Sequence, residues 1–150
     1  MDAKTIEQEI TRLMKEIAGA KALLDEMERE HREKERSFIL GLIEVCDAFE
    51  RVFAHALRGN IAATKEGNAL LDSFRMIYEL LENELSLQGV TAMEDVSGAF
   101  SPLLHKAAGT KHDSKLPEGT IIEIVKRGYV WGDGPIRKPE VMVSSRKLDT

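Results

Sequence analysis

The chain has 150 residues, a length that suits one ordinary domain, and it is 43% hydrophobic and 31% charged. Its net charge of -5 is modest and both signs are interspersed, which leaves no basic stripe to grip nucleic acid. Cys46 is the one cysteine, so an intrachain disulfide is excluded, and no run approaches the roughly 20 apolar residues of a membrane span.

Met1-Asp2-Ala3-Lys4 leads straight into polar sequence without the apolar core of a signal peptide, so the expected location is cytoplasmic. Up to Arg36 the chain is dominated by Glu, Lys, Arg and Ala. From Gly89 onward it holds all four prolines and seven of the eleven glycines. The first composition suits a solvated helix and the second a small β fold.

The first element is a helix that needs a partner. Ile6, Ile10, Leu13, Ile17, Ala20, Leu24 and Met27 recur in alternating steps of four and three, a heptad seam. Charged residues fill the positions between them. So narrow a stripe cannot stabilise an isolated helix in water, which predicts a dimeric coiled coil over residues 1–36. The register then places His31 and Lys34 on the seam. That polar interruption is open to two readings, a device that fixes register or a weak point that melts under heat.

From Phe38 the apolar face widens through Leu42, Val45 and Phe49, as in a helix packed against several others. No proline interrupts the run to Leu57, so one helix on the order of 80 Å is expected, stopping near Arg58-Gly59-Asn60. A second helix follows with Phe74, Ile77 and Leu81 at three-four spacing and ends near Gln88-Gly89. Residues 37–88 thus predict a helical hairpin, and two chains together a four-helix bundle.

Beyond Gly89 the periodicity changes. Thr120 to Val125 is β-branched, Tyr129-Val130-Trp131 precedes the turn Gly132-Asp133-Gly134-Pro135, and Glu140 to Val143 closes the pattern. Residues 89–150 are expected to form a small β domain, giving an α+β chain.

Chemistry is sought without success. His31, His55, His105 and His112 show no metal-ligand spacing, and Cys46 lies on an apolar helical face. No phosphate-cradling loop precedes a helix, and no serine sits in a nucleophile elbow. Neither enzyme activity, a cofactor nor a bound metal is expected.

Five segments carry a family resemblance. Val45-Cys46-Asp47-Ala48-Phe49-Glu50-Arg51 resembles a run in the first bundle helix of the GrpE family. Phe100-Ser101-Pro102-Leu103-Leu104-His105-Lys106-Ala107 and Leu116-Pro117-Glu118-Gly119-Thr120-Ile121-Ile122-Glu123 are similar to two further family segments. Arg127-Gly128-Tyr129 resembles the family's Lys-Gly-Tyr, and Ile136-Arg137 with Val141 and Val143 resembles its closing strand. They come in the family's order on a helix-helix-β plan. Ser101, Lys106, Gly134 and Ser73 depart from the family pattern.

The resemblance implies a homodimeric co-chaperone, a nucleotide exchange factor whose β domain docks on the ATPase domain of a DnaK-type chaperone and speeds ADP release. It implies chaperone contacts at Phe100, Pro102, Val125, Arg137 and Val143. A coiled-coil scaffold or a DnaK-independent holdase is the alternative.

Overall fold

The computed structural model describes residues 2–59 and 64–146. Helix α1 (Ala3–Arg58) runs unbroken for 56 residues, and α2 (Lys65–Leu87) follows it. Both stop as the sequence predicts, although Asn60 of the expected first stop lies outside the described residues.

The ends of α2 have identifiable causes. Thr64 caps its start, accepting a hydrogen bond from the Gly67 N–H at 3.0 Å. Gly89 adopts φ 74° just beyond its last turn, and the Gly89 N–H donates to the Ser86 carbonyl at 2.9 Å.

The chain divides into two compact units, one up to Phe38 and one from Ile39 onward. In the first, Ile6, Ile10, Leu13, Ile17, Leu24 and Met27 all stand exposed on one chain, as does Phe38. Salt bridges on the wet face, such as Arg12 with Glu16 at 2.9 Å, are exposed pairs that contribute little each.

In the second unit, six strands follow the hairpin: β1 (Val90–Ala92), β2 (Lys106–His112), β3 (Ile121–Lys126), β4 (Tyr129–Trp131), β5 (Gly134–Arg137) and β6 (Glu140–Ser145). They make two three-stranded sheets, ordered β1-β4-β5 and β2-β6-β3. The first is antiparallel throughout, and Gly132 at φ 60° turns β4 into β5. In the second, β6 is central, parallel to β2 and antiparallel to β3.

The observed architecture is α+β, as the sequence implies. Strands β1 and β2 were not foreseen, and β5 begins at Gly134, inside the expected turn. β1 has three residues, and β2 reads Lys-Ala-Ala-Gly-Thr-Lys-His, with little β propensity. Its pairing with β6 makes it a strand.

The main core joins helices to sheet. Ile39, Ile43 and Cys46 of α1 and Tyr78 and Leu85 of α2 are buried together with Val90, Tyr129 and Ile136 of the first sheet. Phe49 packs against Phe74 and Tyr78 at centroid distances of 6.1 and 6.0 Å and Phe53 against Tyr78 at 5.7 Å, which closes the helical hairpin through aromatic contacts. A smaller cluster of Ile121, Val141 and Val143 holds the second sheet, with Val96 and Phe100 packed on it.

Candidate partner-binding surface

The loop before β2 is built by its own hydrogen bonds. The Ser101 N–H donates to Nδ1 of His105 at 3.1 Å, and the His105 N–H donates back to the Ser101 carbonyl at 2.8 Å. His105 lies against the Phe100 ring, and Phe100 anchors the loop on the second core. Pro102, Leu103 and Leu104 are thereby held out in solvent, with Leu103 82% exposed.

The Pro-Glu-Gly-Thr turn before β3 is fixed in the same manner. Gly119 adopts φ 80°, the Thr120 hydroxyl donates to the Pro117 carbonyl at 2.7 Å, and buried Ser144 accepts from the Thr120 N–H at 2.8 Å. This tie orients β3, on which Ile124 and Val125 remain exposed.

The five residues at which the resemblance implies chaperone contact fall into distinct settings. Pro102 and Arg137 line one cleft of about 600 Å³, together with His105, Lys106, Lys126 and Lys138. Val125 lines a separate groove of about 410 Å³ between β3 and the Asp47 to Arg58 stretch of α1. Phe100 and Val143 pack in the second core and do not enter either cleft's lining.

Two of the cations in the first cleft, Lys106 and Arg137, are held in ion pairs. Lys106 pairs with Glu140 across β2 and β6 at 2.8 Å, and this hydrogen bond holds the Glu140 carboxyl below the usual carboxylate range. Lys138 Nζ donates to the Pro102 carbonyl at 3.1 Å, tying the loop to the turn before β6.

Arg137 is the most constrained of the five. Its Nη1 and Nη2 donate to Oδ2 and Oδ1 of Asp47 at 2.6 and 2.7 Å, a bidentate pair in which the side chains are only 17% and 7% exposed. Nε and Nη2 also donate to the Arg127 carbonyl at 3.1 and 2.8 Å, and the guanidinium sits 5.4 Å from the Tyr129 ring centre. Burial disfavours its charge, yet the Asp47 hydrogen bonds and field carry its pKa above the ordinary arginine value.

Arg127 extends the network into both helices. Its Nε lies 3.0 Å from Oε1 of Glu50 on α1, and its Nη1 lies 3.2 Å from Oε1 of Glu82 on α2. Tyr78 donates to Glu50 at 2.9 Å, and burial first, then this bond, pushes the phenol pKa well up.

The sequence places Asp47 and Glu50 on the first long helix and gives no partner for either. One signal was available: Asp47 falls on the Ile39, Ile43, Cys46 stripe, and a carboxylate on a buried helical face requires a cation.

Cys46 is fully buried, and burial pushes its thiol pKa up. Since the thiolate is the reactive form, an aromatic disulfide reagent should label the native chain on the order of a hundredfold more slowly than the unfolded chain. Equal rates would show that α1 does not pack on the first sheet. Among the described residues, no group of three or more His, Cys, Asp or Glu is gathered to hold a metal ion. Nor is any described helix long and apolar enough to cross a membrane.

A helical hairpin carrying a small two-sheet unit, with exposed loops braced from within, defines an α+β chain. The sequence profile of the GrpE family matches residues 1–145. A protein named GrpE from Trichormus variabilis is 33% identical over 115 residues, covering 77% of this chain and 45% of the relative. One of the same name from Thermosynechococcus vestitus is 35% identical over 124 residues, covering 78% and 48%. Another, from Oceanobacillus iheyensis, is 29% identical over 121 residues, covering 81% and 60%. The chain belongs to the GrpE family. It spans about half the length of the curated relatives it matches.

Proposed function

We propose that the chain is a homodimeric co-chaperone that acts in the cytoplasm as a nucleotide exchange factor for a DnaK-type chaperone. The family match over residues 1–145 carries this reading, because it takes in both the helices and the β unit. Residues 1–36 would form the stalk, 37–88 the bundle hairpin and 89–150 the unit that docks on the ATPase.

Exposure supports the dimer. Seam residues from Ile6 to Met27 are uncovered on one chain, and so are Val45 and Ile77 of the hairpin. Leu42, Phe49 and Leu81 are already partly covered by the chain's own core, and Phe74 is half-buried. A groove of about 660 Å³ between α1 and α2, lined by Val52, Leu70 and Leu71 among others, suits helices of a second copy.

The docking surface would centre on the face that carries Phe100, Pro102, Val125, Arg137 and Val143. Exposed Pro102 and Val125 are placed for direct contact, and Phe100 and Val143 hold them from beneath. Docking speeds ADP release only if it favours an open nucleotide cleft over a closed one. Weakening ADP a thousandfold corresponds to about 4 kcal/mol of such coupling.

The test is ADP release from a DnaK-type chaperone, followed with labelled ADP and rising amounts of the full chain. Acceleration is expected. A release rate that stays at its basal value would remove the exchange reading and favour a scaffold or holdase. The seam positions of His31 and Lys34 further suggest that heat loosens the stalk and lowers exchange before the β unit melts.

A further inference from the structure

A bidentate ion pair in the second unit joins residues 90 positions apart, Asp47 on α1 and Arg137 on β5. A bidentate guanidinium–carboxylate pair fixes angle as well as distance, since two parallel bonds do not swivel. The same guanidinium holds the Arg127 carbonyl through two of its nitrogens, and the Arg127 side chain reaches Glu50 on α1 and Glu82 on α2. One arginine therefore ties β5 to α1, while the second ties the β3–β4 corner to both helices.

We infer that the Asp47–Arg137 pair is a latch that sets the orientation of the β unit on the helical hairpin, and that Arg137 serves partner docking through this latch and not by touching the partner. Three observations carry it. The guanidinium is mostly covered, its two terminal nitrogens are both committed to Asp47, and its flat face lies near Tyr129. Pro102 and Val125, which face solvent in two separate clefts, are held on segments of the β unit whose placement depends on where the sheets rest. The docking half of this inference rests on the exchange reading above; the latch itself does not.

The inference separates two roles that a single arginine substitution confuses. A direct contact needs the Arg137 charge and is indifferent to Asp47, or gains from a freed guanidinium. A latch needs both partners equally. Its loss leaves the docking surface present but only fractionally in the competent orientation, which raises the apparent dissociation constant by that fraction and leaves the saturated rate intact.

The experiment compares the full chain with Asp47→Asn, Arg137→Gln, the double variant and Arg137→Lys, using amide hydrogen exchange and ADP release. Either single variant should speed amide exchange in β5 and at Arg127 on the order of a hundredfold, given the cost of leaving a covered charge unpaired. Amides of α2 should stay within about threefold, because opening is local. The double variant should be no worse than either single and well short of their sum, since it loses the same interaction but leaves no covered charge unpaired.

In the release assay, Asp47→Asn and Arg137→Gln should both raise the half-saturating concentration about tenfold or more with the maximal rate kept within about twofold. Arg137→Lys, which keeps the charge without the fork, should fall on the defective side. Normal docking by Asp47→Asn beside a defective Arg137→Gln would overturn the inference in favour of direct contact. Additive effects, or unchanged amide exchange in β5, would overturn it as well. If the parent chain has no effect on ADP release, the exchange reading fails alone, and amide exchange decides the latch. A variant that loses its helical circular dichroism is replaced by Arg137→Lys in both assays.

Discussion

Gly128→Ala should destabilise the β unit by about 3 kcal/mol or more and lower its melting temperature by about 10 °C or more. A Cβ at this position would lie 2.5 Å from Cδ of Pro139, 2.7 Å from Sδ of Met93 and 2.8 Å from the Pro139 backbone nitrogen. A flexible methionine could move aside, but a proline ring and its backbone cannot do so without shifting the turn into β6. The Gly128 carbonyl also accepts from the Met93 N–H at 2.9 Å, which pins the two segments together. Gly134→Ala is the control: its Cβ would meet nothing within 4 Å, so the change should stay within about 0.5 kcal/mol. Thermal unfolding followed by Trp131 fluorescence reads both variants. Equal stability of the two would mean that the close approach at Gly128 is not present in solution.

Aspartate at both Ile10 and Ile17 should convert the proposed dimer to a monomer at micromolar concentration. In one chain these side chains are 52% and 67% exposed, so for a monomer the substitutions would be close to neutral, within about 0.5 kcal/mol each. In a paired stalk, each isoleucine removed from water contributes about 1.5–3 kcal/mol, and there are two copies of each. A loss of even about 4 kcal/mol weakens association a thousandfold. Sedimentation equilibrium separates the cases. A parent chain that sediments at 16.8 kDa, or a variant with undiminished mass, would defeat the dimer.

The helices were legible because their signals are local. Three-four spacing of Leu70, Leu71, Phe74, Ile77, Tyr78 and Leu81 names a helix, and Gly59 and Gly89 name the stops. β3, β4 and β6 were legible through β-branched runs and the Gly-Asp-Gly turn, whereas β5 starts at Gly134, inside the stretch expected to be turn. β2 was not, because nearly all its residues are exposed and its existence depends on β6, reached only through β3, β4 and β5. The same limit hid the latch. Asp47 looks like a surface charge and Arg137 like a solvent-facing contact until the fold brings together positions 90 apart. Spacing cannot reveal a partner that tertiary structure supplies.

The placement of β6 bears on biosynthesis. This strand is made after β2 and β3 yet lies between them, with Val141 fully buried. As the polypeptide leaves the ribosome, the helices and the first sheet can settle early, while β2 and β3 wait with open edges. A nascent chain stalled before Glu140 should therefore be prone to cross-strand aggregation, a hazard that ends when the sixth strand slots in.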